Sequence, residues 1–118
     1  MFKTVGLLVS LSLLMFFTAA QAAVCKNIQA KISNKTSNTV EVISIDYLAE
    51  DGEWRNQMTL QKALQPDVMW TQTLDLNHVN LTKTQVKVSF ETSKGNSKAI
   101  SSSVFTCKNN YPLTLDLK

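Results

Sequence analysis

The stretch Thr39–Leu48, Thr-Val-Glu-Val-Ile-Ser-Ile-Asp-Tyr-Leu, constrains the fold more than any other. Its density of β-branched and aromatic residues marks a strand. Strict alternation sends Val40 and Val42 to one face and Ile43, Ile45 and Tyr47 to the other. A strand apolar on both faces is either central in a packed sheet or switches faces through a bulge, here near Val42–Ile43. Both solutions require neighbouring strands to cover it.

Those neighbours are legible. Lys26–Ser33 alternates, with Ile28, Ala30 and Ile32 on one side. Cys25 is out of step with that parity, so a twist or bulge is expected at the start of the strand. Asp51-Gly52 within Glu50–Glu53 signals a hairpin that returns through Trp54–Leu60, with Trp54, Met58 and Leu60 on the apolar parity and Arg55, Gln57 and Thr59 facing out. Gln61–Asp67 is a longer connection with room for one helical turn. Val68–Leu76 follows, carrying Val68, Trp70, Leu74 and Leu76 on one face. Asn77–Asn80 is a turn, with Leu81 as an inward anchor. Gln85–Thr92 and Lys98–Cys107 form a hairpin about Gly95, and the parity change between Val104 and Phe105 calls for another bulge. Leu113, Leu115 and Leu117 alternate in a last strand. Seven short strands without a helix predict an antiparallel two-sheet β-sandwich of one domain, with a small closed barrel as the alternative.

The segment before Cys25 is of another kind. Lys3, the apolar run Val5–Phe17 and the small residues ending Ala20-Gln21-Ala22 read as a secretory signal peptide over residues 1–22. The apolar run is shorter than the ~20 residues of a membrane span. Removal of the leader leaves residues 23–118 as an exported, soluble domain, periplasmic or extracellular, with no membrane anchor. Val24 before Cys25 does not fit the small residue that precedes a lipid-bearing cysteine.

An exported chain with two cysteines, Cys25 and Cys107, is expected to join them. The bridge would close nearly the whole domain. No Cys-x-x-Cys and no neighbouring histidine offer a metal or redox alternative. The net charge is +3, and the lysines are scattered instead of interleaved with aromatics. That pattern excludes a nucleic-acid stripe and describes a solvated surface.

Chemistry-bearing residues are few. His78 is the one histidine; Asp75 and Ser101-Ser102-Ser103 are its conceivable partners, but no strained Gly-x-Ser-x-Gly turn presents a serine. Asp46, Glu50, Asp51 and Glu53 surround a hairpin tip in no EF-hand spacing, so no metal site is expected. Trp54 and Trp70 belong to the core by parity; Tyr111, before Pro112, is the more exposed aromatic. Asn34-Lys35-Thr36 and Asn80-Leu81-Thr82 have the form of glycosylation sequons.

A cysteine pair bracketing Trp54, with the aromatic Phe105 two residues before the second cysteine, resembles immunoglobulin-type domains. The first cysteine lies ahead of the first predicted strand, and Phe105 has no hydroxyl for a tyrosine corner. The resemblance therefore implies sandwich architecture alone. The expected function is a non-catalytic interaction module without a cofactor. It recognises a protein, or alternatively a glycan, through loops carrying Glu50, Asp51, Glu53, Asp67, His78 and Tyr111. A small secreted hydrolase using His78 and a membrane-associating, toxin-like sandwich are the competing readings.

Overall fold

The computed structural model describes residues 22–118. The expected leader, apart from Ala22, lies outside the described residues. The remainder is all-β: β1 (Cys25–Asn34), β2 (Val40–Leu48), β3 (Trp54–Leu64), β4 (Met69–Leu76), β5 (Lys83–Thr84), β6 (Val86–Glu91), β7 (Ser97–Ser101), β8 (Phe105–Thr106) and β9 (Pro112–Leu117). They form sheets ordered β4-β1-β9 and β3-β2-β6-β7, with β5 and β8 as a two-stranded ladder. The two larger sheets meet along β3–β4 and β7–β9 and share one buried apolar cluster, an arrangement compatible with a β-sandwich. Among the described residues no helix is long and apolar enough to cross a membrane.

The face switch in Thr39–Leu48 is present. Val42 pairs with Lys62 and Phe90, Ser44 with Thr59 and Ser89, and Ile43 is passed over on both sides. One extra residue brings Val40, Val42, Ile45 and Tyr47 to the same buried side. The expected irregularity after Cys25 is also there. Cys25 opposes Leu76 and Ile28 opposes Leu74, so Lys26 and Asn27 share a single opposing residue, Asp75. Asn27 adopts φ 59°, a left-handed conformation that asparagine tolerates, and its N–H donates to Asp75 Oδ1 at 3.0 Å.

Four expectations about individual strands need correction. Trp54 is not in the core: it is 39% exposed. Ile45 opposes Met58 but Asp46 opposes Asn56, so Gln57 is an added residue in β3. That slip leaves Met58 facing the core and turns Trp54, opposite Leu48, to the outer face. There Lys87 Nζ sits 4.3 Å from its ring centroid. Trp70 does pack against the core. Second, the connection after β3 is shorter than expected, because the strand continues to Leu64. Third, Lys98–Cys107 is not one bulged strand. The chain leaves β6 at Ser102 and then pairs Phe105 with Thr84, so β7 and β8 belong to different sheets. Fourth, Cys25 is the first residue of β1 and does not precede it.

The bond between Cys25 and Cys107 is formed, with Cα atoms 6.2 Å apart and both residues fully buried. That separation lies within the ordinary range for disulfides. β9 runs parallel to β1, against the expectation of wholly antiparallel sheets, so the first and last strands lie side by side in one direction.

The far end of β1 is held by Asn34, which is fully buried. Its Nδ2 donates to Asn38 O and Leu64 O, both at 2.8 Å. Its Oδ1 accepts from Thr36 N at 2.9 Å and Thr36 Oγ1 at 2.6 Å. An amide offers two donors and two lone pairs, and all four are used. The first sequon is therefore an internal turn lock with no free amide.

Candidate functional site

The hairpin between β2 and β3 is built by its own turn chemistry. Gly52 takes φ 84°, which its lack of a Cβ permits. Its N–H donates to Ala49 O at 3.0 Å, and Ala49 N donates to Glu53 O at 2.9 Å. Asp51 fixes the tip twice: Oδ1 accepts from Glu53 N at 3.0 Å, and Oδ2 pairs with Arg55 Nη2 at 2.7 Å. Both members of that ion pair are about half exposed, so its worth is a few tenths of a kcal/mol and its role is to orient the two side chains.

The segment between β4 and β5 faces this tip. Val79, fully buried, is its anchor, and Val79 O accepts from Thr82 N at 3.0 Å and Thr82 Oγ1 at 2.9 Å. Leu81, the residue expected to anchor it, is instead 71% exposed. Its N–H is taken by Cys107 O at 2.7 Å, and with φ 65° its side chain is left outside the core. His78 is also left-handed, at φ 60°, and exposed.

Between the two lies a cleft of about 410 Å³, lined by Tyr47, Ala49, Glu50, Asp51, Arg55, Asn77 and His78. Tyr47 belongs to the core but sends its hydroxyl to Asn77 O at 3.4 Å, tying the two walls together. The lining offers carboxylates, a guanidinium, an imidazole and an amide around an aromatic and a methyl group. Such a set binds polar and charged groups by hydrogen bonds and ion pairing. Among the described residues no three His, Cys, Asp or Glu side chains come together as metal ligands.

Of the residues singled out in the sequence, Glu50, Asp51 and His78 line this cleft. Glu53 belongs to the same hairpin but contributes only backbone contacts to its tip. Tyr111 is half-buried and stacks on Phe105, ring centroids 4.6 Å apart at 13°. Asp67 is elsewhere: its N–H donates to Asn34 O, at the opposite end of β1. Arg55, Tyr47 and Asn77 complete the cleft and were not singled out. Arg55 opposes the buried Tyr47 because of the Gln57 slip, whereas simple alternation counted it as outward. A second concavity of about 350 Å³ lies at the far end of the four-stranded sheet, where Glu41 and Glu91 oppose one another directly.

The serines do not reach this cleft. Ser102 is buried; its Oγ accepts from Val86 N at 3.0 Å and donates to Ser103 O at 2.9 Å. No protein-family model, curated protein or solved structure matches the chain.

Proposed function

We propose that this chain is an exported, non-catalytic interaction module of immunoglobulin-like sandwich type, which binds a protein through the cleft between its β2–β3 hairpin and the β4–β5 segment. The observation that carries the reading is the cleft itself. Two independent connections, braced by Tyr47 and Asn77, present Glu50, Asp51, Arg55 and His78 together at one end of a rigid scaffold. The Cys25–Cys107 bridge is consistent with an oxidising, exported compartment, and the sequence of residues 1–22 supplies the leader. A hydrolase reading lacks support in the cleft: among the described residues no serine lines it beside His78, and the Ser102 hydroxyl is committed to backbone groups.

A glycan reading has one observation in its favour, the exposed Trp54 on the outer face of the four-stranded sheet. Lys87 already covers the ring, which leaves less of it for a sugar.

The test is capture from native envelope or secreted extract by immobilised, oxidised residues 23–118, in parallel with Glu50→Gln/His78→Ala and Trp54→Ala. A saturable protein partner lost only in the first variant supports the proposal. Binding lost only with Trp54→Ala moves the site to the sheet face. Turnover of any substrate that depends on His78 overturns the non-catalytic reading.

A further inference from the structure

The residues around the expected leader junction are part of the folded domain. The Ala22 carbonyl oxygen lies 3.4 Å from His78 Nδ1. Ala23 O accepts from Asn80 N at 3.0 Å. Two residues later Cys25 is fully buried and bridged to Cys107. The chain on both sides of the Ala22–Ala23 bond is therefore held against the segment that forms one wall of the cleft.

We propose that leader removal completes this cleft, by making an α-ammonium on Ala23 that becomes a charged part of its rim. The inference rests on the reading of residues 1–22 as a leader and adds what the cut does to the site. Water adds to the Ala22 carbonyl carbon and the C–N bond breaks. The carboxylate leaves with Ala22, and the nitrogen, protonated, stays on Ala23. Within one peptide unit the nitrogen lies about 2.3 Å from the carbonyl oxygen. The new ammonium therefore forms within about 6 Å of His78 Nδ1, given the 3.4 Å contact to that oxygen.

Two things then change. The first is charge. Glu50, Asp51 and Arg55 line the cleft, and Arg55 is already paired with Asp51. Glu50 has no ion-pair partner among the described residues. With the ammonium added, the excess carboxylate is balanced and the cleft suits a ligand that carries both signs, such as a polar peptide segment. The second is the imidazole. A carbonyl only accepts, so the contact to Ala22 O requires a proton on Nδ1. An ammonium only donates, so a mature terminus that docks on His78 needs Nδ1 bare and the proton on Nε2.

The experiment compares three oxidised chains by long-range 1H–15N spectra of neutral His78: residues 23–118 with a free terminus, the same chain N-acetylated, and residues 21–118. The expected result is an Nε2–H tautomer in the first and Nδ1–H in residues 21–118, with resonances of Glu50, Asp51, Asn77 and Asn80 shifting between the free and acetylated termini. Acetylation should also lower the melting temperature of the wild type more than that of Glu50→Gln. One tautomer throughout, with shifts confined to residues 23–26, overturns the inference. Sequencing of the exported protein's terminus separates the two levels. A start other than Ala23 refutes the leader boundary, while the spectra still report whether an amine at Ala23 docks on His78.

Discussion

The two ends of β1 are fastened by different means. At its start Cys25 is bonded covalently across the domain to Cys107; at its end Asn34 ties its own turn to the end of β3 through one amide. Around the covalent end the backbone is irregular. Asn27, His78, Leu81 and Asn110 are all left-handed there, and a cleft remains open. Around Asn34, where Asp67 is the one left-handed non-glycine residue among the described residues, the polar groups of the turn are consumed internally. A tether of this kind acts by restricting the unfolded chain and leaves nearby loops free to face a partner. A hydrogen-bond hub acts only when every member is in place, so it closes the structure around itself.

This contrast can be broken by mutation. The largest effect is expected from Cys25→Ala/Cys107→Ala, which opens a loop of sequence separation 82 and should remove about 4.5 kcal/mol in urea unfolding. A loss below 1 kcal/mol would show that the bridge is dispensable to the fold. Next, Asn34→Ala should cost about 2–3 kcal/mol, because it strands the buried Leu64 O and takes one partner each from Asn38 O and Thr36 N in the part-buried turn. Amide exchange at Thr36 should accelerate in the same variant. Asn34→Asp should not rescue it, since a carboxylate would face two carbonyl oxygens. Ser102→Ala, which takes the acceptor from Val86 N, should cost about 1–2 kcal/mol by thermal melting. The smallest stability effects belong to the cleft and the outer face. Arg55→Ala and Trp54→Ala should each change stability by less than about 1 kcal/mol. A cleft built for recognition predicts that Arg55→Ala weakens partner binding although the fold hardly notices; equal loss of both would reduce Arg55 to a structural residue.

Alternation in the sequence reported most of the strands, and its breaks at Val42–Ile43 and Cys25 reported real bulges. It failed where the irregularity lay in the pairing. Trp54, Met58 and Leu60 keep one parity in their own strand, and only the register against β2 reveals that Gln57 is extra. The core position of Asn34 was also written in parity, since it continues Ile28, Ala30 and Ile32, but its place in the polar run Asn34–Asn38 masked the signal. The parallel pairing of β1 with β9 left no trace, because apolar alternation is the same in either direction. Three of the six recognition residues converged on the cleft because they belong to adjacent turns; Asp67 did not, since sequence patterning carries no information on which end of a sandwich a loop occupies.

The parallel terminal strands have a mechanical consequence. Tension applied between the two chain ends would pull β1 and β9 past each other lengthwise, loading their hydrogen bonds together in shear instead of unzipping them singly. The covalent link at Cys107 then limits what can yield. Everything from Cys25 to Cys107 lies within a closed ring, so the slack released from residues 108–118 is at most about 40 Å. Oxidised, the domain would behave under force as a short, stiff coupling; reduced, it would pay out its entire length.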